Sequence, residues 1–202
     1  MNQPPGFGEP PASGESPSPG DPPSSGGPTG FGGLGSAGEP ASIRELTEFG
    51  DALSVWPGAV TLVTIADGRD DIGTTVSAFC PVSVYPPLVL VSLIAASYPA
   101  EVLGRADAFA VTLLAAGQRA LAGRFAAAGR PAARILLANV PHRRGEQSGA
   151  LIPADGLAAF ECAVTERVPA GDHLLLIARV VDVPYVAETG APLIRFRGGY
   201  LR

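Results

Sequence analysis

GTTVSAFCPVSVYPPLVLVSL, residues 73–93, is the stretch on which the fold turns. From Ile72 to Val84 the chain is rich in β-branched and hydroxyl residues and reads as extended, until Tyr85-Pro86-Pro87 stops it. Leu88–Leu93 (LVLVSL) is a short unbroken apolar run, which predicts a strand buried on both faces. Upstream, Ala59–Ala66 (AVTLVTIA) is β-branched and ends at an Asp67-Gly68 turn signal. Before it, Leu46, Phe49 and Leu53 recur at helical spacing, so Ile43–Val55 reads as an amphipathic helix. Ser42 and Glu45 fit its capping box, and Pro57-Gly58 ends it. Trp56, just before that break, is expected to cap the core.

Downstream the alternation continues. Pro99–Ala106 reads as a short helix with Pro99 in its first turn, and Phe109–Leu114 as a strand. Gly117–Ala128 is helical by the spacing of Leu121 and Phe125. Residues 129–148 carry Gly and Arg without period and read as loop. Gly156–Arg167 and His173–Val183 form a hairpin-like pair joined by Val168–Asp172, and Ala191–Phe196 is a last short strand. Six or seven closely spaced strands with two or three helices predict an antiparallel barrel or sandwich, not an alternating βαβ array.

Of residues 1–40, 27 are Gly, Pro or Ser, with four acids and no base. Such a stretch cannot bury enough apolar surface to offset its ordering entropy, so a disordered tail precedes one domain over 41–202. The domain is nearly neutral, with 15 acids against 14 Arg, which argues against a nucleic-acid face. All 14 bases are Arg, so Schiff-base and P-loop lysine chemistry is excluded. Cys80 and Cys162 stand 82 residues apart in no metal spacing and are expected as buried free thiols. No signal peptide is expected, and Leu88–Ala96 is too short to span a bilayer; a cytoplasmic protein is expected. Two histidines cannot make a three-His metal site, and no triad or zinc motif is present. No metal is expected.

Candidate binding groups cluster in a few places. Gly73, Thr74, Thr75, Val76 and Ser77 combine three hydroxyls with a glycine, suited to the polar edge of a planar heterocycle or to a phosphate. A strand whose Thr and Ser face solvent is the plainer account. Ser92 and Ser97 add hydroxyls near a strand end. Arg124 lies mid-helix and could balance a phosphate, although an exposed helical Arg is commoner. Gly171-Asp172-His173 begins a strand, where His173 could meet a nicotinamide or serve as a packing residue. His142 reads as a solvated loop group.

Taken in order, WPGAVTLVT, the 73–93 stretch, FAVTLL, LAGRFA, GDHLLLIARV and RGGY resemble the flavin reductases, the small components of two-component flavin-dependent monooxygenases. The resemblance runs from about Glu45 to Arg202. It implies a mainly β fold with a few helices, the FMN-binding split β-barrel, normally a homodimer. It also implies FMN or FAD as the flavin, NADH or NADPH as hydride donor, and a separate oxygenase that takes the reduced flavin. By position, Gly73–Ser77 would line the flavin ring, and Ser92, Leu93, Ile94, Ser97, Tyr98 and Pro99 would follow the ribityl chain and phosphate. Arg124 and Phe125 match an Arg-Phe pair that touches flavin, His173 the nicotinamide-side histidine, and Tyr200 the closing aromatic. Ile94 stands where the family commonly has Asn, and Tyr98-Pro99 where it commonly has a basic or hydroxyl pair. Losing such charged hydrogen bonds, at about 1.5–3 kcal/mol each, implies exchangeable flavin. A flavoprotein with prosthetic flavin and a non-enzymatic ligand-binding barrel are the alternatives.

Overall fold

The structure is a computed structural model and describes residues 43–68 and 70–201, with the side chains of 43–45 left aside. The tail, the Ser42 cap and the Glu45 side chain lie outside the described residues. Helix α1 (Ile43–Ser54) leads through β1 (Gly58–Ala59) to β2 (Thr61–Ile65) and β3 (Ile72–Val76). β4 (Phe79–Ser83), β5 (Leu88–Ile94), α2 (Tyr98–Arg105) and β6 (Ala108–Leu113) follow. Next come α3 (Arg119–Ala126), α4 (Ala133–Leu136), β7 (His142–Arg144) and β8 (Leu151–Pro153). The long pair β9 (Ala158–Ala170) and β10 (His173–Val186) precedes β11 (Ile194–Phe196) and β12 (Gly199–Tyr200).

Every ladder is antiparallel, as expected. The main sheet runs β3-β2-β6-β9-β10-β5-β4. Ile72 and Val76, from one edge of that order, share a buried cluster with Val89, Val91 and Leu93, from near the other edge. A flat sheet would hold these residues many strands apart, so the sheet curls around its own apolar interior into a barrel. Helix α2 adds Val102 and Leu103 to that interior. On the outer face, Leu62 packs with Leu121, Phe125, Leu137, Leu151 and Leu193, beneath α3 and α4.

Several local expectations are corrected. The extended run 72–84 breaks at Ser77-Ala78, and its halves lie at opposite ends of the sheet, because the chain crosses the open side of the barrel there. β5 is not buried on both faces: Val89, Val91 and Leu93 point into the core while Leu88, Leu90 and Ser92 stay half-exposed. Residues 129–148 hold α4 and β7, too short to show a period, and β8 follows unforeseen. The hairpin β9–β10 is longer than expected, closing over only Gly171-Asp172, with Gly171 at φ +60 where other residues are strained. The larger element count comes from two- and three-residue strands no period can reveal. Trp56 is 77% exposed and caps nothing in a single chain. Cys80 is free but exposed, since it sits on an edge strand, and Cys162 is free and buried. Among the described residues no helix is long and apolar enough to cross a membrane.

Candidate functional site

Two hollows flank the edge strand β3. The larger cleft, about 530 Å³, has Gly73 in its floor, Ser97, Tyr98 and Pro99 on one wall, and Gly129–Ala132 on the other. Gly73 is required there. A Cβ at this position would lie 2.7 Å from Phe125 Cδ1 and closer still to Cε1. Phe125 is fully buried beneath it, so the predicted Arg-Phe pair meets the cleft only through this contact. Further along β3, Thr75, Val76 and Ser77 border a recess of about 160 Å³ together with Val60, Arg195 and Tyr200. Ser77 and Arg195 also face a groove of about 490 Å³ whose other wall includes Leu53 and Trp56. Gly73 to Ser77 spans about 13 Å at the ordinary rise of a strand. One edge strand thus connects the hollows. Thr74 and Thr75 are half-buried on it, Ile72, Gly73 and Val76 are buried, and the Val76 C=O is taken by the Thr61 hydroxyl at 2.7 Å.

The cleft wall at α2 is built by its own sequence. Ser97 caps the helix, its hydroxyl accepting from Ala100 N–H at 3.3 Å, while Pro99 gives up a donor the first turn does not use. Tyr98 O–H donates to Asp67 at 3.4 Å, a long bond, and burial together with Asp67 holds this hydroxyl above the ordinary tyrosine value. It therefore remains a neutral donor at physiological pH.

Three acids of the β2–β3 loop are each tied to an arginine from a different element. Arg105 holds Asp67 at 3.2 and 3.3 Å, Arg134 holds Asp70 at 3.2 Å, and Arg144 holds buried Asp71 at 3.0 and 2.9 Å. Arg130 differs. Its Nε donates to Gly73 C=O at 2.7 Å and its Nη1 to Ala127 C=O at 3.3 Å, and burial lowers its pKa. The predicted cation, Arg124, instead donates to Leu136 C=O at 3.2 Å and does not line the cleft. Sequence reading missed Arg130. The Gly129-Arg130-Pro131 turn, with Gly129 at φ +66, was its one signal.

The remaining predicted residues fall around the end of β5. Leu93 points into the core, Ser92 is half-exposed, and Ile94 is 58% exposed. Ile94 lies opposite His173 across the β5–β10 ladder. Ile94 C=O accepts from Ser97 N–H at 2.9 Å, so His173 and the α2 wall share one corner of the barrel. His173 Nδ1 is 2.6 Å from Asp172 Oδ1, and that bond with the histidine's charge holds Asp172 below the usual carboxylate range. Asp172 orients the ring, leaving Nε2 for a ligand. Tyr200 lies beneath the Arg119 guanidinium at 5.4 Å, away from His173's corner. His142 is exposed and bonded to Val140 C=O.

Two buried groups are structural. Burial alone would raise the Glu161 carboxyl, but the Ser148 hydroxyl and the N–H groups of Ser148, Gln147 and Glu146 more than offset it and hold it below its usual range. Next to it, burial pushes the Cys162 thiol up to about 12, so this sulfur is no nucleophile.

Comparison with known proteins gives this geometry its class. Residues 53–202 match the flavin reductase like domain. The chain is 35% identical over 157 residues to an NADH-dependent FMN reductase of Streptomyces nodosus subsp. asukaensis, covering 76% of this chain and 83% of that one. It is also 35% identical over 154 residues to the reductase component of 4-hydroxyphenylacetate 3-monooxygenase from Thermus thermophilus, covering 76% and 94%. The solved structure of a Streptomyces globisporus NADH:FAD oxidoreductase in complex with NAD and FAD fragments superposes with TM-score 0.73 at 27% identity, over 81% of this chain and 96% of that one. The fold is the split β-barrel that the sequence resemblance implied. The chain belongs to the flavin reductase like domain family.

Proposed function

We propose that this protein transfers a hydride from NADH or NADPH to FMN or FAD and releases the reduced flavin to a partner monooxygenase. The observation that carries the reading is the β3 edge, which runs from the Tyr98–Arg130 cleft to the Thr75–Ser77 recess and carries the half-buried Thr74 and Thr75 and the exposed Ser77 beside it. That donor set fits a long ligand with a planar polar ring at one end. Bound flavin supplies the ring that accepts the hydride, and the protein holds and orients it. Gly73–Ser77 would hold the ring edge, while Ser92–Ile94 and Ser97–Pro99 would follow the chain and phosphate. His173 stands at the open side, where a nicotinamide would stack. Stacking at about 3–3.5 Å demands positioning more than acid–base chemistry.

The relatives named NADH-dependent favour NADH as the donor. The weak α2 wall, with one donor removed by Pro99, favours exchangeable over prosthetic flavin. A second copy of the chain would cover Leu46, Phe49, Leu53, Trp56, Ile94 and Tyr98, all more than half exposed here. The working unit would be residues 41–202 in the cytoplasm, with the preceding tail dispensable. Oxidation of NADH and NADPH is measured with FMN, FAD or riboflavin added. Oxidation that no flavin stimulates would sink the reading.

A further inference from the structure

We infer that Arg130 is the anion receptor of the cleft and makes this protein prefer phosphorylated flavins to riboflavin. The inference rests on the flavin-reductase reading of the cleft and adds to it the group that the α2 wall lacks. At the start of α2, Pro99 has no N–H, Ala100 N–H is taken by the Ser97 hydroxyl, and Glu101 N–H goes to Ser97 C=O. That leaves Tyr98 N–H as the one donor of the turn, beside the acidic Glu101. A helix start so equipped makes a poor phosphate site.

The opposite wall makes up the deficit. Of the loop acids, Asp67 and Asp71 are each held by two bonds from Arg105 and Arg144, while Asp70, which lines the cleft and is 71% exposed, has its charge matched by Arg134 through one bond at 3.2 Å. Arg130 is half-buried at the cleft and, among the described residues, bonds only to carbonyls, through Nε and Nη1. Those two bonds pin the guanidinium plane and leave Nη2 uncommitted. A desolvated cation without a counter-ion is costly, and its lowered pKa reflects burial with no opposing charge. A phosphate would relieve that cost through charge-assisted hydrogen bonds to a group already held in place.

The test is flavin fluorescence quenching with the full chain, using FMN and riboflavin on wild type, Arg130→Gln and Arg130→Lys, each variant first checked for an unchanged melting profile. Arg130→Gln should weaken FMN roughly tenfold to a hundredfold, the range of one or two charged hydrogen bonds. Riboflavin should move less than about twofold, and Arg130→Lys should fall between. Inorganic phosphate should compete with FMN on wild type and not on Arg130→Gln. Equal weakening of both flavins would overturn the assignment and make Arg130 a brace for Gly73. FMN binding unchanged in both variants would overturn it too, while leaving the flavin reading intact. Wild type that binds neither flavin would overturn that reading and this inference with it.

Discussion

Replacing Gly73 by Ala tests whether the floor of the cleft and the packing beneath it are one structure. The new methyl would sit 2.7 Å from Phe125 Cδ1, nearer to Cε1, and 3.4 Å from Ala133 Cβ. Ordinary carbon contacts lie at about 3.5–4.0 Å, so the ring must retreat by about 1 Å. It has nowhere easy to go, being fully buried among Leu121, Leu137 and Leu151. Overpacking of this kind costs about 1–3 kcal/mol, and for a chain of this size that lowers Tm by roughly 2–12 °C. Because Gly73 C=O also accepts from Arg130, the same shift should weaken FMN binding. The assay is thermal and urea unfolding of Gly73→Ala, Phe125→Leu and the double variant, with FMN titrations alongside. The smaller Leu should recover part of the loss, giving a coupling of about 1 kcal/mol or more. An unchanged Tm for Gly73→Ala, or strictly additive effects in the double variant, would refute the packing argument.

Three further outcomes follow from the geometry. His173→Ala should lower kcat/KM for NADH about tenfold to a hundredfold while flavin Kd stays within about twofold, as steady-state kinetics beside fluorescence titration will show; a lowered Tm with normal kinetics would make it a packing residue. Glu161 is nearly fully buried and its folded pKa is depressed, so its contribution is present above the ordinary carboxylate pKa of about 4.3 and lost as pH falls through the folded value. Glu161→Gln should therefore cost about 2–4 kcal/mol at neutral pH and flatten the fall of Tm with acid, and melts from pH 7 to 3 that superpose with wild type would contradict this. Phe49→Glu on the exposed face of α1 should shift the mass seen by light scattering from dimer toward monomer, and a wild type already monomeric at high concentration would remove the basis for a second copy.

The antiparallel class was legible because strands such as Thr61–Ile65 and Ala108–Leu113 carry β-branched residues between clear turn signals. The break at Ser77-Ala78 was not, since both flanks favour an extended chain and only the barrel's closure places them on different edges. Periodicity also fails for α4 and β7, whose four and three residues complete no period. Leu46, Phe49, Leu53 and Trp56 show the limit of a single chain: their spacing says apolar face, and only a partner can say what covers it. Within the site, the Gly73–Ser77 stretch and Ser97 stood out through glycine and hydroxyl chemistry, while Tyr98 and Pro99 entered it through the family resemblance alone. Arg130 did not, because its role depends on which acids the other arginines occupy. Asp67, Asp70 and Asp71 lie 38, 64 and 73 residues from the arginines that hold them. Such pairings arise from tertiary structure alone.

The central claim, that the protein reduces a flavin it then releases, is tested most directly without oxygen. Purified protein is dialysed, mixed with NADH and FMN or FAD, and followed by the loss of the reduced-nicotinamide and oxidised-flavin absorbance bands. The account predicts no reaction before flavin is added, then equal amounts of NADH consumed and flavin reduced, with many turnovers per protein and the reduced flavin passing through a filter that retains the chain. Folded protein that oxidises no NADH with either flavin, or that keeps one reduced flavin bound and turns over no more, would contradict it.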